Sequence, residues 1–295
     1  MAATNELIRA RLLDSAELTA LLSTYCDSPA VFYQTAPSDK DEGWNDVTQY
    51  PRIEFLVEQH AEAEYDTAGK LHIDITCTET GTPPEDLEPL VRRVLAGVFF
   101  YPDGKAPFTA SWNTSQTFQV SSQADNVPLL IGVTVDFDLV SFPNLETSDP
   151  DPVAAINRYA GGWDKALTIV DRAEVKDYFV PTREHPAAYF RKLSATINRE
   201  TNTVTWMDVV LVAHFFAPEL RDRCEWLEQF AQQLALDTEV TMLDGSPMLI
   251  RDVKGNSASN ELQGQLQISA QYGLLRRPKY AHTMTQMRLN RKGGN

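Results

Sequence analysis

The feature of this sequence that most constrains its fold is a strand–helix–strand pattern that occurs twice. In the first half, residues from Leu71 to Thr78 alternate in polarity, an apolar stripe follows from Leu87 to Val98, and a long alternating run extends from Val127 to Leu139. A period of two is typical of a strand with one buried face, and apolar residues three and four apart are typical of a helix with one buried face. The pattern therefore predicts a sheet covered by a helix.

The same pattern recurs in the second half at a shift of 133 positions (71 to 204). The shift places the first strand on a run that begins at Val204, the helix on a stripe that begins at Leu220, and the last strand on residues 262 to 272. We therefore predict an α+β fold of two similar units, each a mostly antiparallel sheet packed by one main helix. Duplication explains the common shift. The alternative is that two ordinary units share their apolar spacing by chance, and Ile75, which falls on Asp208, is a mismatch.

Chain length also favours two units, because 295 residues exceed what one hydrophobic core usually organises. The segment from Ser141 to Pro152 contains three prolines and several acids, a composition typical of a linker. We predict a first unit at residues 1–145, a second at 146–275 and a flexible basic arm at 276–295. In the second unit, strands are expected within Thr168 to Val180 and Ala187 to Ile197, and the candidate for an opening helix is Pro152 to Tyr159.

Three aromatic pairs stand in the second half. A stacking platform for a ligand is one interpretation, but packing in a sheet core or an interface explains them with fewer assumptions. The pairs are Tyr178-Phe179, Tyr189-Phe190 and Phe215-Phe216.

Charge is distributed unevenly along the chain. The net charge of −15 disfavours general binding to a phosphate backbone, which needs a lysine- and arginine-rich surface. The arm has six basic residues and no acid, so the first 275 residues carry −21. The basic residues of the arm are Arg276, Arg277, Lys279, Arg288, Arg291 and Lys292. We expect the arm to become ordered against an acidic surface of a neighbouring subunit or of a second ring protein.

The sequence carries no recognisable catalytic, cofactor-binding or metal-binding motif, so we expect no enzyme activity and no cofactor. Cys26, Cys77 and Cys224 are far apart, which indicates neither a disulfide framework nor a zinc site. Asp136 and Asp138, or Glu62, are the candidates for the alternative, a metal-dependent hydrolase with paired carboxylates. No run approaches 18 apolar residues and no secretion signal opens the chain, so a membrane span is not expected.

The first half resembles the tail terminator and tail completion proteins of tailed bacteriophages. The resemblance lies in the opening IRARLLDSAELTALLS, the strands after YPRIEFLVEQ and in GKLHIDITCTET, the helix EDLEPLVRRVLAGV and the closing VPLLIGVTVDFDL. It covers about half of the chain and rests on element order and apolar spacing.

This resemblance implies a structural virion protein with no catalytic residues. Such proteins form rings at the head-proximal end of the tail, end the tail tube and join it to the head connector. The implied partners are further copies of the chain, as a trimer or hexamer, the tail tube, the sheath where there is one, and the head connector. The protein would be found in the virion tail, and in the host cytoplasm during assembly. A baseplate or neck adaptor, or an intracellular adaptor for one protein partner, are the alternatives.

In such a ring, DNA would pass through the channel without specific binding. A negative wall repels phosphate and leaves the duplex free to slide. We expect the densest acidic runs to face the channel: Asp39, Asp41, Glu42, Asp46, Glu62, Glu64 and Asp66.

Overall fold

The computed structural model describes residues 3–45, 49–59, 67–120, 129–256, 259 and 262–276. The first unit contains helices α1 (Thr4–Leu13), α2 (Ala16–Thr19) and α3 (Pro84–Leu95). Its strands are β1 (Thr24–Tyr25), β2 (Ser28–Pro29), β3 (Val31–Tyr33), β4 (Arg52–Gln59), β5 (Thr67–Thr78), β6 (Phe99–Tyr101), β7 (Phe108–Val120) and β8 (Leu130–Ser141).

The second unit begins with α4 (Pro152–Trp163), which is the opening helix expected from the sequence, and its main helix is α5 (Leu220–Asp237). A 3-10 turn spans Val170–Arg172. The strands are β9 (Thr168–Ile169), β10 (Asp177–Phe179), β11 (Ala187–Glu200), β12 (Val204–Phe216), β13 (Glu239–Thr241), β14 (Pro247–Gly255) and β15 (Leu266–Leu275).

The two units have the same strand order. The first sheet is ordered β3-β4-β5-β8-β7-β6, with β10 added beyond β6, and the second is ordered β9-β11-β12-β15-β14-β13. In both sheets the first pair of strands is parallel and every later pair within the unit is antiparallel. The prediction of an α+β fold with two similar, mostly antiparallel units is confirmed.

Two helices pack on each sheet, in corresponding places. Helix α3 begins with Pro84, has acids in its first turn and arginines in its last, and buries Leu87, Val91 and Val94 against the first sheet. Helix α1 contacts β3, β4 and β6, and α4 contacts the corresponding strands β9, β11 and β13. Each unit therefore has its own core, closed by a main helix and an opening helix.

The register predicted for the second unit is wrong, although its fold is right. Both units contain a short hairpin, in which Phe100 faces Phe108 and Val240 faces Met248. We took these two hairpins as equivalent and followed the cross-strand partners from one strand to the next in each sheet. This makes Leu71 equivalent to Leu211, a shift of 140 positions (71 to 211). For β12 the predicted shift of 133 is smaller by seven residues, and an odd displacement along a strand moves every side chain to the other face. This is why Ile75 fell on Asp208. For β15 the same counting makes Phe137 equivalent to Ile268, a shift of 131 (137 to 268), so the predicted shift differs by two residues and keeps the side chains on the correct face.

The main helix of the second unit is displaced in the same way. The shift of 133 placed Leu220 on the apolar stripe, but Leu220 is 58% exposed. The shift of 140 places Leu87 on Leu227 and Val94 on Leu234, and both residues of α5 are buried. Helix α5 begins about one turn earlier than the equivalent of α3, so Leu220 precedes the residues of α5 that correspond to α3.

These two leucines of α5 provide a matched pair of variants. Leu227→Ala should lower the free energy of unfolding by about 2–5 kcal/mol, because it leaves a cavity in the second core. Leu220→Ala should change it by less than about 0.5 kcal/mol, because the side chain already faces solvent. Urea denaturation followed by circular dichroism measures both, and equal losses for the two variants would contradict the register.

Candidate functional site

The most distinctive site in this structure is the joint between the two units. Strand β10 belongs to the second half of the chain but pairs with β6 of the first sheet, where Tyr178 lies opposite Phe100. The sequence predicted strand character from Thr168 to Val180 in the second unit, whereas the structure divides this segment between the two sheets. The 3-10 turn and the positive φ of Asp177, 68°, redirect the chain between β9 and β10.

Tyr178 sits in a defined seat on the first unit. Its ring packs against Phe100, and the guanidinium carbon of Arg11 lies 5.2 Å from the ring centre. The hydroxyl donates a hydrogen bond to Asp14, and this bond, together with burial, raises the pKa of Tyr178. The Nε of Arg11 donates to the carbonyl of Val94 at 3.0 Å, which ties α1 to α3 beside the seat. Strand pairing and this seat together hold β10 on the first unit.

An apolar cluster, here called the inter-unit cluster, fills the space between the two sheets. The rings of Phe99 and Phe216 are 4.8 Å apart, and those of Phe142 and Tyr189 are 5.2 Å apart. The hydroxyl of Tyr189 donates to the carbonyl of Pro143 at 2.9 Å. The cluster consists of Phe99, Phe142, Val170, Ala187, Tyr189 and Phe216.

Two of the aromatic pairs noted in the sequence divide between this cluster and the second core, and the third, Tyr178-Phe179, divides between the first core and this cluster. Tyr189 and Phe216 lie in the inter-unit cluster, whereas Phe190 and Phe215 lie in the core under α5. Consecutive side chains on a strand point to opposite faces, so each pair contributes one ring to each side of its sheet. The interpretation of the pairs as packing residues is confirmed.

A polar cluster flanks the joint. Glu146, from the linker, pairs with Arg172 and accepts a hydrogen bond from Asn157 at 2.7 Å. Burial raises the pKa of Glu146, but these hydrogen bonds and the charge of Arg172 outweigh it, and the pKa is lowered. Burial, and the nearby charge of Glu146, raise the pKa of Asp171 to about 6. Burial and the charge of Asp171 raise the pKa of Tyr101, across the joint.

The two described carboxylates that were considered for catalysis, Asp136 and Asp138, contact polar side chains on the outer face of the first sheet. Asp136 is 2.6 Å from Nδ1 of His72, whose Nε2 lies 3.8 Å from Glu58. Asp138 accepts a hydrogen bond from Asn113 at 3.0 Å. Within the part of the chain that the structure describes, no group of three or more histidine, cysteine or acidic side chains is placed to hold a metal ion. Glu62 lies outside the described residues.

The acidic loop, residues 38–44, is folded against its own unit. Asp39 accepts hydrogen bonds from Arg52 at 2.6 Å and Tyr50 at 2.9 Å, and Asp41 accepts one from Tyr25 at 3.0 Å. Edge-to-face contacts of Trp44 with Tyr25 and Phe32 hold the end of the loop in place. Glu42 is exposed. The other acids expected in the channel, Asp46, Glu62, Glu64 and Asp66, lie outside the described residues.

Of the basic arm, the structure describes Arg276. Its guanidinium donates to the carbonyl of Thr201 and to the carboxylate of Glu200, both at 2.9 Å, so this residue is bound to its own unit. The remaining basic residues of the arm lie outside the described residues: Arg277, Lys279, Arg288, Arg291 and Lys292.

Sequence reasoning missed the role of β10 in the joint. The aromatic pair Tyr178-Phe179 was visible, but nothing in the spacing of the chain indicates that a three-residue strand pairs with another sheet. The seat that receives Tyr178 combines residues about 80 to 170 positions distant from it, Arg11, Asp14 and Phe100, so no local pattern predicts it.

Comparison with known proteins adds no relative. A scan against protein-family models and a search of curated proteins both find no match to this chain. Among the described residues, the helices are too short or too polar to span a bilayer.

The raised pKa of Asp171 leads to a pH-dependent prediction. In the unfolded chain the pKa of Asp171 returns to its ordinary value of 3.8. Between about pH 4 and pH 6 the unfolded chain has therefore lost this proton while the folded chain keeps it, so the contribution of Asp171 to the free energy of unfolding falls as the pH rises. Asp171→Asn removes that loss and should raise the free energy of unfolding by about 1–2 kcal/mol at pH 7. The gain should shrink towards pH 4.

Denaturation at the two pH values measures this difference. Glu174→Gln, at an exposed position nearby, is the matched control and should have little effect. A gain for Asp171→Asn that is the same at pH 4 and pH 7 would show that ionisation of Asp171 is not its cause.

Proposed function

We propose that this chain is a structural protein of a tailed bacteriophage, which assembles into a ring at the head-proximal end of the tail, ends the tail tube and joins it to the head connector. The observation that carries the proposal is the joint itself. Two units of the same strand order stand side by side, united by strand pairing and a closed apolar cluster. A side-by-side joint between equivalent units can be repeated around an axis.

The resemblance of the first half to tail terminator proteins supplies the position in the tail. The charge of the chain is compatible with a passage for DNA, because a net charge of −15 gives the wall no general attraction for phosphate. Three copies would place six units around the axis. Six copies would need a second tier or an outer layer.

Electron microscopy of the purified chain tests the proposal. We expect closed rings in negative stain and a solution mass of three or six chains of 33.1 kDa. Antibody labelling of virions that contain the chain should mark the junction of head and tail. A monomer at all accessible concentrations, or an open filament, would contradict the ring. Label at the distal end of the tail would instead favour a baseplate adaptor.

A further inference from the structure

The second unit contains an open cleft beside β13, an edge strand of its sheet. The cleft has a volume of about 390 Å³ and lies between the end of α4, the end of α5 and β13. Its lining includes Arg158, Tyr159, Gly162, Trp163, Val240 and Thr241.

This cleft corresponds to the seat of Tyr178 in the first unit. Helices α1 and α4 occupy equivalent places, and their buried residues have the same spacing, Leu7, Ile8 and Leu12 in α1 and Ala155, Ile156 and Ala160 in α4. That alignment makes Tyr159 equivalent to Arg11, and the hairpins make Val240 equivalent to Phe100. Arg11 and Phe100 are the residues that hold the ring of Tyr178. The same site is therefore filled in one unit and open in the other.

The sheet edge beside the cleft is open as well. In the first sheet, β10 covers the outer side of β6. Among the described residues no strand covers the outer side of β13, the equivalent of β6. The carbonyl of Thr241 in β13 accepts a hydrogen bond from Arg158, and the rest of the exposed edge presents N–H and C=O groups that can bind another segment of chain.

Equivalence also identifies the segment that fits this site. Strand β10 lies in the connection between β9 and β11, residues 170–186, and the equivalent connection of the first unit joins β3 to β4, residues 34–51. The two connections have nearly equal lengths, and the acidic loop, residues 38–44, stands in the middle of its connection, as β10 does in the other. This loop lies at the β3–β4 edge of the first sheet, opposite the edge that binds the second unit. The loop that reaches β13 must therefore come from another copy.

Charge complements this fit. Arg158 is exposed at the cleft, and its Nη2 donates to the carbonyls of Thr241 and Met242 at 2.9 and 2.8 Å, which holds the cation at the edge of β13. Glu42, in the acidic loop, is exposed and has no ion pair among the described residues. Asp237, a carboxylate in the lining, already accepts hydrogen bonds from Tyr159 and Gln233. A carboxylate of the loop can thus pair with Arg158 at the mouth of the cleft.

We propose that the cleft beside β13 binds the acidic loop, residues 38–44, of a second copy of this chain. The joint within the chain is then repeated between chains, head to tail, as a ring requires. This inference rests on the assembly proposed above and specifies its contact surfaces. It assigns Asp39, Asp41 and Glu42 to the joint between copies instead of the channel wall.

Gly162 allows the cleft to be filled without disturbing the core. It is exposed on α4, and a Cβ atom added there meets no atom within 4 Å. Gly162→Trp should occupy the cleft and raise the concentration needed for half-assembly by roughly tenfold or more. Gly162→Ala is the matched control, because it leaves the cleft open, and it should assemble like the unaltered chain. Sedimentation velocity over a range of concentrations measures both, and thermal melting checks that both are folded.

Cross-linking locates the contact independently. A benzoylphenylalanine introduced at Glu42 in a mixture of unlabelled and ¹⁵N-labelled full chains should form inter-copy cross-links to residues 158–163 or 237–241. Cross-links elsewhere, or normal assembly of Gly162→Trp, would overturn the inference and leave a ring built on another surface. If the unaltered chain forms assemblies that are not rings, and Gly162→Trp abolishes them, the joint is supported and the tail function is rejected. An unaltered chain that stays monomeric would overturn both.

Discussion

Open sheet edges are the constraint on which the rest of this structure depends. Each unit is an open sheet, and the backbone groups at an edge strand need a partner or a cover. Within the chain, β10 supplies a partner for β6, and the same crossing carries Tyr178 into its seat against Phe100. One strand, β10, thus both covers the edge of β6 and places Tyr178 in its seat. These two contacts hold the two units side by side.

The inter-unit cluster turns this strand pairing into a stable joint. A three-residue strand contributes few hydrogen bonds, whereas the burial of Phe99, Phe142 and Phe216 removes large apolar surfaces from water. The polar cluster around Glu146 and Asp171 lies beside it, where hydrogen bonds and Arg172 lower the pKa of Glu146 and burial raises that of Asp171. At the free edge of the second sheet, the exposed Glu239 stands in the place of the buried Phe99. A joint between copies would accordingly depend more on charge and less on apolar burial.

The sequence predicts the units better than their joint. Period-two runs and the stripe of α3 depend only on local spacing, so the fold class and the repeated layout could be read directly. The register could not, because α5 begins a turn early and the long hairpins of the two units differ in length, so no single shift aligns every element. Tyr178 and the cleft at Arg158 depend on residues distant in the chain, and spacing carries no information about such contacts. Their equivalence follows from strand order, which only the folded chain provides.

The account rests on the claim that the joint within one chain is repeated between chains. A cryo-electron microscopy map of the assembled protein tests this claim most directly. It should contain near-equivalent units around one axis, with the acidic loop of each copy against β13 and the end of α4 of the next. A map in which β13 and its cleft face solvent, and the copies meet at other surfaces, would contradict the account.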